Sequence, residues 1–256
     1  MVTGPDAETI SDLVLAYKIL VDEAVLDSFG HVSARSPSNP DRFLLPRAMP
    51  PALVEAEDVL ELSVETSQPI DPRGRRVNGE RYLHGEIYKA RPDVNAVVHS
   101  HSQAVIPFSL TGVALRPVIV QAGFMPLCIP NFEIRDIRGN GRGMQITDMA
   151  RGAALAKALG GGPLALMRGH GNVVVGSSVK QAAVFAAYTD INARMQAQAL
   201  QIDCNVVVMD KPELFEPWEF DINRPWENFR QKLLSDSART AIDRAQFGLD
   251  HTQKPA

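Results

Sequence analysis

Helices and short strands that alternate along the chain, but not as regular strand-helix-strand units, predict an α/β domain. Three observations carry this reading. Apolar residues recur at helical spacing in long segments towards either end, short apolar runs of strand character lie between them, and glycine- and proline-marked turns separate the runs. With 256 residues, 45% of them hydrophobic, the chain has enough apolar material for a sizeable core.

Residues 10–25 put Ile10, Leu13, Val14, Tyr17, Leu20 and Val21 on one helical face, with Thr9 or Ser11 as a cap. Gly30 marks a turn. Strands are expected at 31–35, 42–45 and 59–64, separated by Ser36-Pro37-Ser38-Asn39-Pro40-Asp41 and followed by Asp71-Pro72-Arg73-Gly74. A helix over 81–90 carries Leu83 and Ile87 on one face and stops before Pro92. The apolar stretch Val94-Asn95-Ala96-Val97-Val98 reads as a buried strand. After it come a short helix near Ala104, strands at 118–120 and 127–129, and a helix over 147–159 stopped by Gly160-Gly161-Gly162. Strands at 164–167 and 173–175 follow. The longest helix, 178–200, opens with Ser178 and Gln181 as a capping box. Its alanines, Ala182, Ala183, Ala186, Ala187 and Ala193 among them, suit close packing in the core or at a subunit contact. Beyond Val206-Val207-Val208 the chain turns polar, with Trp218 and Trp226 as expected anchors, a helix over 226–244 and a solvated His251.

Composition excludes several classes. A formal charge of −4 gives no footprint for nucleic acid, and arginines scattered among loops suit an anionic small molecule instead. The two cysteines, Cys128 and Cys204, are too few for a disulfide framework; they read as reduced thiols of a cytoplasmic protein, Cys128 as a packed one. No apolar run approaches the ~20 residues of a membrane helix, and the first residues lack the basic and apolar parts of a signal peptide.

The chemistry concentrates in histidines. Side chains alternate along a strand, so His99 and His101 leave on the same side, spaced to converge on one ion. A third, His170, follows another buried-strand run and stands between Gly169 and Gly171, where the backbone is free to turn tightly. Glu80, just before the helix that precedes the histidine strand, is the expected carboxylate. Three imidazoles with an open position are the layout of a catalytic metal site. His84 reads as a substrate-side or capping hydrogen bonder rather than a ligand.

Gly30-His31-Val32-Ser33-Ala34-Arg35, then Gly79-Glu80 before Tyr82-Leu83-His84-Gly85-Glu86-Ile87-Tyr88, then Arg91-Pro92-Asp93-Val94-Asn95-Ala96-Val97-Val98-His99-Ser100-His101, then Gly169-His170-Gly171 stand in one fixed order over residues 10–205. In this the chain resembles the class II aldolase/adducin family. The resemblance implies a three-layer α/β/α fold around a largely antiparallel sheet, and a homotetramer with active sites at subunit contacts. It implies a divalent metal on His99, His101 and His170, with Glu80 as acid/base or fourth ligand. With the polar turn of the chain after Val208, the expected division is a class II aldolase-like catalytic domain, 1–208, and a C-terminal helical extension, 209–256, packed on the same domain.

Departures from the sugar-phosphate aldolases narrow the substrate. His31 stands where those enzymes resemble one another in having asparagine, and Leu45-Pro46-Arg47-Ala48-Met49-Pro50-Pro51 replaces a phosphate loop of small hydroxyl residues. A phosphate cradle needs converging hydroxyls and free amides, whereas Arg47 offers a planar fork that fits a carboxylate. With the segments 130–136 and 167–176, the chain looks most like the subgroup that decarboxylates hydroxylated aromatic dicarboxylates, of the 3-hydroxy-2-methylpyridine-4,5-dicarboxylate or dihydroxyphthalate type. The expected reaction is loss of carbon dioxide while the metal, zinc or manganese, stabilises the ring oxyanion. In this reading Glu80 delivers the proton, with His31 as a second acid or as a hydrogen-bond donor, and Arg47, Ser33, His84 and Arg168 lie on the substrate side. An aldolase or epimerase of an unphosphorylated hydroxy-keto acid or sugar shares every ligand; an adducin-like scaffold without activity is the third reading.

Overall fold

In a computed structural model of the protein, which describes residues 5–139 and 141–246, the apolar run before the paired histidines becomes the middle strand of a seven-stranded sheet. The strands are β1 (His31–Arg35), β2 (Arg42–Pro46), β3 (Val59–Ser63), β4 (Ala96–Ser100), β5 (Asn131–Phe132), β6 (Leu164–Met167) and β7 (Gly171–Gly176). Across the sheet their order is β3-β2-β1-β4-β7-β6-β5. Every neighbouring pair is antiparallel except β5 with β6 at one edge. The helices are α1 (Pro5–Asp22), α2 (Arg81–Ala90), α3 (Ile106–Leu110), α4 (Arg135–Arg138), α5 (Met149–Leu159), α6 (Val179–Ile202) and α7 (Asn223–Gln246). His251 lies outside the described residues.

Strand alternation divides the core into two apolar layers. Val32 and Ala34 of β1, Ala96 and Val98 of β4, and Val174 of β7 face α1 and α6, whose Leu13, Tyr17, Leu20, Ala183 and Ala187 pack against them. Val97 of β4 and Val173 and Val175 of β7 face the other way, onto Leu83 and Ile87 of α2 and Leu155 and Leu159 of α5. The result is three layers, helix on sheet on helix, as expected. Trp226 and Phe229 of α7 join the first cluster at 3% and 7% exposure.

Several local expectations need correction. α1 starts at Pro5, a residue suited to a first helical turn, so neither Thr9 nor Ser11 caps it. No strand forms at 118–120. Backbone groups from Ala114 to Val118 are satisfied instead by amide side chains of α6: Asn192 accepts from the Val118 N–H at 2.8 Å and donates to the Arg116 carbonyl at 2.7 Å, while Gln196 accepts from the Arg116 N–H and donates to the Ala114 carbonyl; Val120 opens a 3-10 turn. The strand expected at 127–129 is displaced to β5, beyond Pro130. Cys128 is exposed rather than packed, and Trp218 is 77% exposed, leaving Trp226 as the anchor. Ser178 does cap α6 by accepting from the Gln181 N–H, but Gln181 turns its Oε1 to the Ser177 amide, so the box is open on one side.

Candidate metal centre

Because β4 runs antiparallel to both β1 and β7, the end of β4, the start of β1 and the β6–β7 turn share one end of the sheet. His31 lies directly opposite His99 in the ladder, and Asn172 opposite Ser100. The two glycines beside His170 do different work. Gly169 takes a positive φ of 63° that closes the turn. Gly171 lets β7 approach β4, since a Cβ there would lie 2.0 Å from the Ser100 carbonyl oxygen.

This topology brings Glu80, His99, His101 and His170 together, with one donor atom from each lying within 4.8 Å of all the others. The three rings form a nearly equilateral triangle, with centroids 4.9, 4.9 and 5.1 Å apart. Oε2 of Glu80 stands 3.6 Å from His170 Nε2 and 3.8 Å from His99 Nε2. Its other oxygen, Oε1, accepts from the Ile146 N–H at 2.8 Å, which leaves Oε2 to the histidines.

The hydrogen bonds behind the rings test whether a cation fits. His99 Nδ1 lies 3.1 Å from the Asn172 carbonyl oxygen, an acceptor only, so the proton of a neutral His99 sits on Nδ1. His101 Nδ1 lies 3.1 and 3.2 Å from the two oxygens of Asp27, so its proton sits there too. Both rings then turn unprotonated Nε2 atoms towards each other at 3.2 Å. Two lone pairs at that distance repel, and a divalent cation between them removes the conflict. Imidazoles braced from behind by a carbonyl and a carboxylate are the arrangement that orients metal-binding histidines. The donor set fits a divalent metal.

Charge follows the same geometry. Burial pushes the Glu80 carboxyl up, but the imidazoles around it, His170, His31 and His99, outweigh it and hold the group well below the usual carboxylate range. Burial drives His99 and His84 well below the ordinary histidine value and lowers His31 as well.

The other residues singled out in the sequence are distributed differently. His31 is buried, with Nε2 at 3.9 Å from Glu80 Oε2. Ser33 and His84 are 0% exposed and bonded to one another at 2.6 Å, behind His31 rather than on the substrate side. Arg47 is reached by extending the β1–β2 register, Ala34 opposite Leu44, three residues along each strand, which brings it level with His31. Its Nε donates to Asp58 Oδ1 at 2.8 Å, and its two terminal nitrogens make no hydrogen bond among the described residues. Arg168, beside the His170 turn, is paired with Glu133, which also takes Arg135 at 2.6 Å; hydrogen bonds from Arg135 and Arg168 hold the Glu133 carboxyl down to about 2. Two residues escaped the sequence reading. Asp27 lies in a loop 74 positions from the His101 it braces. Tyr88 is signalled by Glu80, His84 and Tyr88 recurring every fourth residue, which puts His84 and Tyr88 on one stripe of α2 in line with Glu80 at its N-cap.

Residues 11–197 match the family described as Class II Aldolase and Adducin N-terminal domain. Among curated proteins, decarboxylase tropJ of Talaromyces stipitatus is 32% identical over 81% of this chain and 82% of its own length. A 3,4-dihydroxyphthalate decarboxylase of Arthrobacter keyseri is 29% identical over 73% of this chain and 76% of its own. Among solved structures, an aldolase II superfamily protein from Pseudomonas syringae superposes with a TM-score of 0.76 at 20% identity, covering 92% of this chain and 95% of that one, which is a likeness of fold.

Proposed function

The chain belongs to the class II aldolase and adducin family, a lyase by its decarboxylase relatives, and from that premise we propose that it is a metal-dependent carboxy-lyase acting on a hydroxylated aromatic carboxylate or dicarboxylate. The observation that carries the proposal is the convergence of Glu80, His99, His101 and His170 with facing unprotonated nitrogens. These four residues would hold a zinc or manganese ion, which would supply a Lewis acid to the ring oxygen of the substrate. Glu80, ionised at neutral pH, accepts the proton of the ring hydroxyl at Oε2 and returns it to the ring carbon that bears the leaving carboxylate. The carbon–carboxylate bond then breaks, carbon dioxide departs, its bonding pair restores the aromatic ring, and the ring oxygen regains a proton from water. Arg47 offers its two free terminal nitrogens to a substrate carboxylate, while Asp58 holds its Nε.

The same proposal takes the enzyme to be cytoplasmic and a homotetramer, with residues 209–256 extending the catalytic domain. Free Cys128 and Cys204 suit a reducing compartment, and no helix among the described residues is long and apolar enough to cross a membrane. The decisive assay incubates purified protein with hydroxyphthalates and hydroxypyridine dicarboxylates and follows carbon dioxide. Release that chelation abolishes and zinc or manganese restores is expected. Aldehyde release from hydroxy-keto acids without carbon dioxide would replace the proposal, and a protein that takes up no metal would end it.

A further inference from the structure

One face of α2 lies along one face of β1, and the polar residues on both are fully committed to each other. Tyr88 Oη lies 2.7 Å from Ser33 Oγ, Ser33 Oγ lies 2.6 Å from His84 Nδ1, and His84 Nε2 lies 2.6 Å from His31 Nδ1. Four side chains thus form an unbranched, buried series that ends at His31 Nε2, an atom without a hydrogen-bond partner among the described residues, facing the Glu80 end of the site.

The series has a direction, because each link holds one hydrogen. Ser33 Oγ is the sole acceptor in hydrogen-bonding reach of the Tyr88 hydroxyl hydrogen among the described residues. Tyr88 therefore donates to Ser33. Ser33 must spend its own hydrogen on His84 Nδ1, which places the His84 proton on Nε2, where it is donated to His31 Nδ1. The proton of His31 is left on Nε2. Reversing the series would bury the Tyr88 hydrogen with no acceptor, a cost that native interiors avoid.

We propose that Tyr88, Ser33 and His84 are positioning residues that lock His31 in its Nε2–H form, making it a fixed hydrogen-bond donor to an oxygen of the bound substrate. A fixed donor aimed at developing negative charge needs no reorganisation when the charge appears. This role for His31 rests on the carboxy-lyase reading for the identity of the oxygen, but the tautomer itself does not.

Neutron diffraction from deuterium-exchanged crystals of the metal-loaded protein tests the tautomer directly. Deuterium is expected on Nε2 of both His31 and His84 and on neither Nδ1. Deuterium on His31 Nδ1 overturns the proposal, since it would turn a lone pair into the site. The Ser33→Ala variant removes the hydroxyl whose hydrogen pins His84 Nδ1, and with it what sets the direction at the two histidines. In it, deuterium at His31 should divide between the two nitrogens, and kcat should fall about two- to tenfold, the size of one lost buried hydrogen bond, with KM within about twofold. In Tyr88→Phe the Ser33 hydrogen still has His84 Nδ1 to reach, so deuterium should stay on Nε2. A Ser33→Ala protein with undivided deuterium and full kcat overturns the part given to the series. Should the wild-type tautomer be found as expected while no aromatic acid is decarboxylated, the substrate reading fails and the positioning series stands.

Discussion

Replacing Asp27 by asparagine removes one negative charge from behind His101 while leaving an oxygen in the same place. In the native protein the carboxylate accepts from His101 Nδ1 at 3.1 and 3.2 Å and from the backbone amides of Phe29 at 2.8 Å and Gly30 at 3.0 Å. The amide oxygen of asparagine keeps these contacts but no longer strengthens His101 Nε2 as a donor. Loss of such a brace weakens metal binding by about 10- to 100-fold. The Asp27 side chain is 42% exposed, and solvent screens its charge. The expected loss is therefore at the lower end, about tenfold, or roughly 1.4 kcal/mol. Competition with a chromophoric chelator for zinc at neutral pH measures it. Asp27→Ala also removes the turn acceptor and should lower the thermal midpoint, which Asp27→Asn should scarcely move. An Asp27→Asn protein binding zinc within twofold of wild type would show that the carboxylate does not brace a ligand.

Glu80→Gln should reduce turnover of the decarboxylated substrate by about 100- to 10,000-fold, the usual worth of positioned proton transfer, with a much smaller change in substrate binding measured by calorimetry; near-normal kcat would remove Glu80 from the reaction. In the metal-free protein, burial depresses His31, His84 and His99 below the ordinary value of 6.5. The unfolded chain then takes up protons below that pH which the folded one refuses, so this stability is present above pH 6.5 and lost as pH falls, by up to about 1.4 kcal/mol per ring per unit. Urea midpoints at pH 7.5 and 5.5 check the sign, and a higher midpoint at pH 5.5 would contradict neutral burial. Trp226→Ala should cost about 3–5 kcal/mol in chemical unfolding, as expected for a large ring at 3% exposure; Trp218→Ala, at 77% exposure, should cost under about 0.5 kcal/mol. Equal effects would mean that α7 is not docked through Trp226.

Most of the fold was legible because its elements carry their own periodicity. The bounds of α2 and β6 follow directly from the helical face of Leu83 and Ile87 and from an apolar run between glycine-rich turns. What was misread had its cause elsewhere in the chain. Residues 118–120 have strand-like composition, yet Val118 and Arg116 before it are held by Asn192 and Gln196, side chains of a helix more than 70 residues away, and Val120 opens a helical turn; no local pattern reports the distant partners. The three histidines were legible for the opposite reason: His99 lies near the end of β4 with His101 just past it, and Gly169 and Gly171 announce the turn that delivers His170. Asp27 was not, since a loop aspartate beside Phe29 and Gly30 has the look of ordinary turn chemistry and serves that role as well.

The positioning series lies between these cases, and its spacing says why the site sits where it does. Along β1, side chains return to the same face every second residue, so His31 and Ser33 both look towards α2; along α2, they return about every fourth, so Glu80, His84 and Tyr88 all look towards β1. The shared stripe has the metal cluster at its Glu80 end and a phenol deep in the core at its Tyr88 end, with His84 bridging the two residues of the strand. One residue inserted between Glu80 and His84 would rotate the rest of the helix by about 100°, breaking every bond of the series while leaving the three histidines untouched. The histidine triangle therefore belongs to the end of β4 and the β6–β7 turn, whereas the carboxylate and the orientation of His31 belong to α2 and its start, and a change in that helix should separate metal binding from turnover.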